Sequence, residues 1–160
     1  DSESGKGTSF TIFLPEAVEP AAVSELTQVE LPTGSERILC IDDEAEIVML
    51  QRRLLESLGY RVTTSTSSLE AIEIVRECPG DHDLVITDQT MPEMTGEEMA
   101  RRILQVRPDM PIMLCTGYSV SMDSELAQKM GIKAYLMKPV SKLELATTIR
   151  RVLDESGSAS

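Results

Sequence analysis

The sequence predicts an α/β protein: a five-stranded parallel sheet, doubly wound, with five helices on its two faces. One observation is periodicity, because short apolar runs typical of buried strands alternate five times with stretches whose apolar residues recur at helical spacing. A second is composition, since the 160 residues are 41% hydrophobic and 26% charged, as in a globular domain with a substantial core. Right-handed crossovers then place the strands in one sheet, although the repeats leave the strand order open.

The predicted elements follow in order from Arg37. The strands are short β-branched or apolar runs, at Ile38–Ile41, Arg61–Ser65, Leu84–Thr87, Ile112–Cys115 and Ala134–Met137. The helices follow the apolar spacing over Ile47–Leu58, Ser68–Cys78, Met99–Val106, Ser121–Met130 and Ser141–Leu153. Leu50 belongs to the apolar spacing of the first helix, and Leu69 is expected to point inward from the second. The half-polar pattern of Arg61–Ser65 is typical of an outer strand.

The residues outside the repeats divide into three segments. Residues 1–15 contain a glycine-rich turn and a strand-like stretch, Phe10–Leu14. Residues 16–36 contain two prolines, five Glu and no Lys or Arg, which is typical of an acidic linker. The repeats occupy residues 37–155, and residues 156–160 have no periodicity and are expected to be a disordered tail.

Charge and cysteine content argue against several classes of protein. A net charge of −12 argues against nucleic acid or an anionic membrane as a direct partner, because both need a basic surface. No apolar run is long enough to span a bilayer, and the sequence shows no secretory signal. Cys40 and Cys115 lie inside apolar runs, so we expect reduced core thiols in a cytoplasmic protein. His82, the single histidine, is expected in a surface loop.

Polar side chains follow four of the predicted strands. They are Asp42 and Asp43 after the first strand, Asp88 after the third, Thr116 after the fourth and Lys138 after the fifth. Because the carboxyl ends of parallel strands meet at one edge of a sheet, we expect these side chains to converge. Three carboxylates in one place repel each other unless a cation joins them, and Mg²⁺ accepts such oxygen ligands.

Such a site could accept a phosphoryl group. Asp88 would attack the phosphorus atom in line, while Mg²⁺ and Lys138 neutralise the charge that develops. The hydroxyl of Thr116 could donate a hydrogen bond to a phosphoryl oxygen. Each residue also has an ordinary explanation, as an acid at a helix N-terminus, a turn residue or a solvated lysine. Their arrival at one edge of one sheet favours the functional interpretation.

Residues 37–155 resemble the receiver domain of the response regulators of two-component systems. The resemblance lies in four motifs: Ile41–Asp43, Asp88–Gly96, Cys115–Gly117 and Tyr135–Pro139. It implies a flavodoxin-like fold with sheet order 2-1-3-4-5 and a cis peptide bond between Lys138 and Pro139. The implied roles are phosphoacceptor for Asp88, phosphate-binding lysine for Lys138, Mg²⁺ ligands for Asp42, Asp43, Asp88 and the backbone carbonyl of Thr90, and a switch pair of Thr116 and Tyr135.

Residues 1–15 resemble the last glycine box and final strand of the ATP-binding domain of histidine kinases. The matching residues are Gly5, Gly7, Thr8, Phe10, Ile12, Leu14 and Pro15. A kinase end, a linker and a receiver follow one another in hybrid sensor histidine kinases, so we expect the carboxyl-terminal part of such a kinase. The phosphodonor would be a kinase histidine, in the same parent chain or another, and a histidine phosphotransfer protein could receive the group. The parent kinase could be anchored in a membrane, with no direct membrane contact from this fragment. By itself the fragment supports only Mg²⁺-dependent self-phosphorylation and dephosphorylation.

Other interpretations stay open. The chain could be a free-standing single-domain response regulator, if residues 1–15 come from a cloning vector, or an interaction module that docks without phosphorylation. The kinase-like start argues against the first, and the intact acidic site argues against the second. A small phosphatase that forms an aspartyl phosphate would share the Asp–Mg²⁺–Lys chemistry, but the five regular repeats leave no room for a substrate cap.

Overall fold

A computed structural model describes residues 2–3, 7–8, 11–13, 30–117 and 131–157, in two compact units, Asp1–Glu30 and Leu31–Ser160. In the first unit, Ser2–Glu3 and Gly7–Thr8 form an antiparallel pair. Thr11–Phe13 has no regular secondary structure, so the strand predicted over Phe10–Leu14 is wrong for these residues. A strand persists only where a neighbour satisfies its backbone N–H and C=O groups.

The second unit is built on a five-stranded parallel sheet. Its strands are β1 (Arg37–Ile41), β2 (Arg61–Ser65), β3 (Leu84–Asp88), β4 (Ile112–Thr116) and β5 (Ile132–Met137). The hydrogen-bonded order is β2-β1-β3-β4-β5, which confirms the expected order 2-1-3-4-5. The half-polar strand β2 lies at one edge of the sheet, as its pattern predicted.

The described residues contain four helices, which begin near the predicted positions. They are α1 (Ala45–Glu56), α2 (Ser68–Glu77), α3 (Gly96–Val106) and α4 (Lys142–Gly157). The helix predicted over Ser121–Met130 lies outside the described residues. Ser141 caps the last helix, because the Glu144 N–H donates to Ser141 Oγ at 3.1 Å. In this part of the chain no helix is long and apolar enough to cross a membrane.

Apolar side chains form two clusters, one on each face of the sheet. Ile38 and Cys40 of β1 belong to the cluster under α1 and α4, whereas Leu39 and Ile41 belong to the cluster under α2 and α3. All five positions of β3 and of β4 are buried. Burial on both faces explains why these strands are continuous apolar runs. Cys40 and Cys115 are free and buried, as predicted.

Two leucines that fit the apolar spacing of the first and second helices are exposed. Leu50 is 68% exposed and Leu69 is 50% exposed, so the expectation that Leu69 points inward is wrong. The buried stripe of α1 runs through Val48, and a residue two positions further along lies across the helix. The buried residues of α2 include Ile72 and Val75. Helical spacing shows which residues share a face of the helix, but it does not show whether that face packs against the core.

The domain is longer at both ends than the repeats indicated. It begins at Leu31, which packs against the cluster under α1 and α4, and Glu36 forms an ion pair with Arg150 at 2.7 Å. The last six residues of the predicted linker therefore belong to the domain. At the other end α4 continues to Gly157, with Ser156 Oγ donating to the Val152 carbonyl at 2.8 Å, so the tail cannot begin at residue 156. The helix continues over residues 156 and 157, although their sequence shows no apolar periodicity.

His82 is buried, at 5% exposure, and the expectation of a surface position is wrong. The loop that carries it is tied to β1, because Arg37 donates to Asp83 through its backbone N–H at 2.8 Å and its guanidinium at 2.8 Å. The guanidinium of Arg107 also donates to the His82 carbonyl. These bonds hold the loop at the amino ends of β1 and β3, where His82 is buried.

Candidate functional site

The carboxyl ends of β1, β3 and β5 bring two aspartates and a lysine into direct contact. Lys138 Nζ lies 2.7 Å from Asp42 Oδ2 and 2.7 Å from Asp88 Oδ1. Asp42 is 1% exposed and Asp88 is 8% exposed. Three of the predicted site residues therefore converge as the parallel topology required.

Backbone N–H groups orient both carboxylates. The Glu44 N–H donates to Asp42 Oδ1 at 3.1 Å, and the Thr90 N–H donates to Asp88 Oδ2 at 2.7 Å. Each aspartate thus has one oxygen on the backbone and the other on Lys138. This arrangement holds the two carboxylates in place around a single ammonium group.

Lys138 is fixed by its neighbours on both sides. Burial disfavours its charge, but hydrogen bonds to Asp42 and Asp88, with the charges of those groups, hold the pKa of Lys138 above its ordinary value. Its backbone N–H donates to the Thr116 carbonyl at 2.8 Å, and the Lys138–Pro139 peptide bond is cis, as the resemblance implied. The lysine is therefore a permanent cation at the centre of the site.

The loop after β3 folds tightly back against the strand end. The Gly96 N–H donates to the Gln89 carbonyl at 2.9 Å. A Cβ atom at position 96 would collide with the Asp88 carbonyl oxygen and with the Leu114 side chain. Only glycine permits this approach, which accounts for the last residue of the Asp88–Gly96 motif.

Thr116 and Tyr135, the predicted switch pair, lie on neighbouring strands. Thr116 follows Cys115, which pairs in register with Asp88, and its hydroxyl donates to the Gly117 carbonyl at 2.9 Å. Tyr135 pairs in register with Leu114 and packs against the cluster under α2 and α3. Within the described part of the chain its hydroxyl is buried without a hydrogen-bond partner. Burial, with a smaller effect from the charge of Glu97, raises the pKa of Tyr135 to about 12.

The two remaining predicted metal ligands, Asp43 and Thr90, lie at exposed positions beside the site. Across residues 30–117 and 131–157, no three Asp, Glu, His or Cys side chains form a cluster that could hold a metal by themselves. The donors are nevertheless all oxygen atoms, and the two buried carboxylates share a single ammonium, which leaves one excess negative charge. This donor set fits Mg²⁺ and does not fit soft metals.

Two polar residues near the site were missed by the sequence analysis. Gln89 is 8% exposed, and its Oε1 has no hydrogen-bond partner among the described residues. Glu93 accepts hydrogen bonds from Ser67 and Ser68 at the start of α2. The role of Glu93 had one signal in the sequence, the pair Ser67 and Ser68 at the start of α2. The unpaired N–H groups at a helix N-terminus need an acceptor or an anion nearby.

An apolar groove between α1 and the start of α4 leads to the site. Its lining includes the apolar residues Ile47, Leu50, Leu54, Val140 and Leu145 and the polar residues Gln51 and Lys138. Leu50, which lines the groove, is 68% exposed. An exposed apolar groove is typical of an interaction surface.

Comparison with known proteins identifies the family. Residues 38–150 match the family model of the response regulator receiver domain. The chain belongs to this family. Receiver domains accept phosphoryl groups in two-component signalling, generally with Mg²⁺, and interact with histidine kinases or phosphotransfer proteins.

The relatives of this receiver include sensor kinases and response regulators. The sensor kinase CckA of Brucella abortus is 37% identical over 97% of this chain, which covers 17% of CckA. The aerobic respiration control sensor protein ArcB of Escherichia coli is 28% identical over 96% of this chain, or 20% of ArcB. The response regulator SaeR of Staphylococcus aureus is 33% identical over 72% of this chain, or 50% of SaeR. This chain thus spans between about a sixth and a half of these relatives.

Solved structures agree with the family assignment. A response regulator receiver domain protein from Clostridium thermocellum is 34% identical, with a TM-score of 0.74, over 78% of this chain and 99% of its own. A CheY-like receiver domain protein from Methanospirillum hungatei is 29% identical, with a TM-score of 0.71, over 79% of this chain and 100% of its own. The receiver fold therefore covers most of this chain.

Proposed function

We propose that Asp88 is the phosphoacceptor of this receiver and takes its phosphoryl group from a phosphohistidine. The observation that carries the proposal is the Lys138 ammonium, 2.7 Å from the carboxylates of both Asp42 and Asp88. A fixed cation beside a nucleophilic carboxylate is suited to phosphoryl transfer, where charge accumulates on the equatorial oxygens.

The transfer is an in-line displacement. A carboxylate oxygen of Asp88 forms a bond to phosphorus as the phosphorus–nitrogen bond of the phosphohistidine breaks, and the imidazole nitrogen keeps the electron pair. Lys138 then pairs with a phosphoryl oxygen, and the Thr116 hydroxyl donates to another. Bound Mg²⁺ would supply charge neutralisation at the transferring group, held by Asp42, Asp43, Asp88 and the Thr90 carbonyl.

The groove beside Lys138 supports the choice of phosphodonor. Its apolar walls, which include Leu50 and Val140, suit the apolar face of a helix, and Lys138 belongs both to the groove and to the site. A helix of a histidine kinase or phosphotransfer protein in this groove would present its phosphohistidine to Asp88. We propose that such a helix is the occupant.

Residues 1–36 bear on the origin of the receiver. The match to the sensor kinase CckA extends over 97% of the chain, beyond residues 38–150 of the family model. This extension supports the proposal that residues 1–15 belong to the end of a kinase ATP-binding domain, followed by a linker. The receiver would then act within a hybrid sensor kinase.

Asp88 is tested by incubating the protein with acetyl phosphate and Mg²⁺. Intact-mass analysis should detect a base-labile phosphoryl adduct, and Asp88→Asn should abolish it. Asp109→Asn, which changes an exposed acid in the turn before β4, should label like the unsubstituted protein. Equal labelling of the Asp88→Asn protein would show that another group is the phosphoacceptor.

The groove is tested with an autophosphorylated kinase domain of a related sensor kinase as the donor. Leu50→Ser should slow phosphoryl transfer from this protein while leaving labelling by acetyl phosphate unchanged. Leu69→Ser is the matched control, because Leu69 is also an exposed helical leucine but does not line the groove. Equal effects of the two substitutions would exclude the groove as the docking surface.

A further inference from the structure

Glu93 joins the loop after β3 to the amino end of α2. Its Oε2 accepts hydrogen bonds from Ser67 Oγ at 2.8 Å, from Ser68 Oγ at 2.9 Å and from the Leu69 N–H at 3.3 Å. These bonds, those from Ser67 and Ser68 above all, lower the pKa of Glu93. A carboxylate at this position also interacts favourably with the positive end of the helix dipole.

The helix end that receives Glu93 is itself anchored to the strand ends beside the site. Ser67 caps α2 by accepting from the Glu70 N–H at 3.3 Å, and its own N–H donates to Ser65 Oγ at 3.1 Å. The carbonyl of Ser65, the last residue of β2, accepts from the Asp42 N–H at 3.4 Å. A continuous set of hydrogen bonds therefore connects Glu93 to the backbone of Asp42.

A short, stiff segment connects Glu93 to Thr90. The Thr90 N–H is bound to Asp88 Oδ2 at 2.7 Å, and Met91 is buried at 8% exposure. Pro92 restricts its own φ angle and the backbone of Met91 before it. Thr90 is therefore held between its bond to Asp88 on one side and the Glu93 contacts on the other.

We propose that Glu93 is a positioning residue, which fixes the loop so that the Thr90 carbonyl faces the carboxylates of Asp42 and Asp88. This inference rests on the proposed Mg²⁺ site. Without the Glu93 contacts, the loop would have to be ordered when the metal binds, and that ordering would weaken binding. Glu93 thus acts on the metal through Thr90, without touching it.

The test is Mg²⁺ titration of the full chain by isothermal calorimetry. Glu93→Ala should raise the Mg²⁺ dissociation constant about tenfold, the lower end of the range for residues that orient metal ligands. Glu93→Gln should lie in between, because its amide oxygen can still accept from the two serine hydroxyls. Glu77→Ala, which removes an exposed carboxylate at the other end of α2, should leave the constant unchanged.

Thermal unfolding without metal distinguishes positioning from simple helix capping. If Glu93 only stabilised α2, Glu93→Ala would lower the melting temperature and leave the Mg²⁺ dissociation constant unchanged, which would overturn the inference. Ser68→Ala should weaken Mg²⁺ binding in the same direction, and its effect should not add to that of Glu93→Ala. Absence of Mg²⁺ binding by the unsubstituted chain would instead overturn the proposed metal site, and the inference with it.

Discussion

Lys138 Nζ lies 2.7 Å from Asp88 Oδ1, so a cation that follows β5 contacts the carboxylate that ends β3. The two strands are not neighbours, because β4 lies between them in the sheet. The contact therefore depends on the assembled sheet and cannot form within one β–α repeat. Since the same ammonium also contacts Asp42, it separates two carboxylates that are almost fully buried.

Removing this cation should destabilise the metal-free protein. Lys138→Met leaves Asp42 and Asp88 without their shared partner, and we expect a loss of about 2 kcal/mol in unfolding free energy, less than for a fully buried pair. Urea unfolding in the presence of EDTA measures it, and saturating Mg²⁺ should restore part of the loss. Lys142→Met, at an exposed position in the first turn of α4, is the control. Equal losses for the two variants would contradict a specific role for the Lys138 contacts.

The sequence predicted the sheet and the central site residues because both follow from local patterns. Each strand of the receiver was located to within two residues at its ends, and Asp42, Asp88 and Lys138 meet where strand ends must meet. Exposure of Leu50 and Leu69 could not be predicted, since helical spacing does not tell a core-facing residue from one that faces a groove or solvent.

Side-chain contacts between residues far apart in the chain could not be predicted from the sequence either. Glu93 contacts Ser67 and Ser68 across 25 residues or more, and no local pattern pairs them. Glu36 and Arg150 are 114 positions apart, so the composition of residues 31–36 predicted a linker where the structure has part of the domain. Burial of His82 likewise depends on the contacts of its loop with Arg37 and Arg107.

The packing of residues 31–36 can be tested at Gly34. A Cβ atom there would collide with the Glu36 carboxylate and the Tyr60 ring, so Gly34→Ala should lower stability by about 1–3 kcal/mol, as overpacking does. Gly80→Ala is the matched control, because a Cβ atom at Gly80 has no neighbour within 4 Å. Urea unfolding compares the two variants. If both were as stable as the unsubstituted protein, residues 31–36 would not pack against Tyr60 in solution.

Stability should fall as the pH drops below about 6.5 because of His82. Burial lowers the pKa of His82 from its ordinary value of 6.5, with Arg37 and Arg107 acting in the same direction and Asp81 and Asp83 acting against it. Near pH 6.5 the imidazole of His82 binds a proton more readily in the unfolded chain than in the folded chain. The stability lost therefore grows as the pH falls from 6.5 to the folded pKa, and is complete below it.

Urea unfolding at several pH values measures this effect. His82→Gln should flatten the dependence just below pH 6.5, and the NMR titration of the single histidine gives the folded pKa directly. The Arg37 hydrogen bonds lower the pKa of Asp83 below 3.8, so its own contribution is lost only in more acidic solution. A dependence just below pH 6.5 that is equally steep without the imidazole would assign the effect to other groups.

The last prediction concerns the coupling of Thr116 to Tyr135. Phosphorylation adds about two negative charges and three acceptor oxygens. The Thr116 hydroxyl, which now donates to the Gly117 carbonyl, should turn to a phosphoryl oxygen and vacate space on β4. Tyr135 lies on the adjacent strand, and its buried hydroxyl has no hydrogen bond to break among the described residues. Because Tyr135 lies on the strand next to the one that ends in Thr116, its ring should respond to the change at Thr116.

Beryllofluoride with Mg²⁺ mimics the phosphoryl group for the measurement. The ring resonances of Tyr135, assigned with Tyr135→Phe, should shift when the site is saturated, while those of Tyr60, which belongs to the cluster under α1 and α4, should not. Thr116→Ala should still form the adduct on Asp88 but show a smaller shift at Tyr135. The phosphoryl group can bias this equilibrium only through contacts that differ between the two states, and Thr116 is the proposed source of that difference. Unchanged Tyr135 resonances at saturation would therefore exclude the switch while leaving Asp88 as the phosphoacceptor.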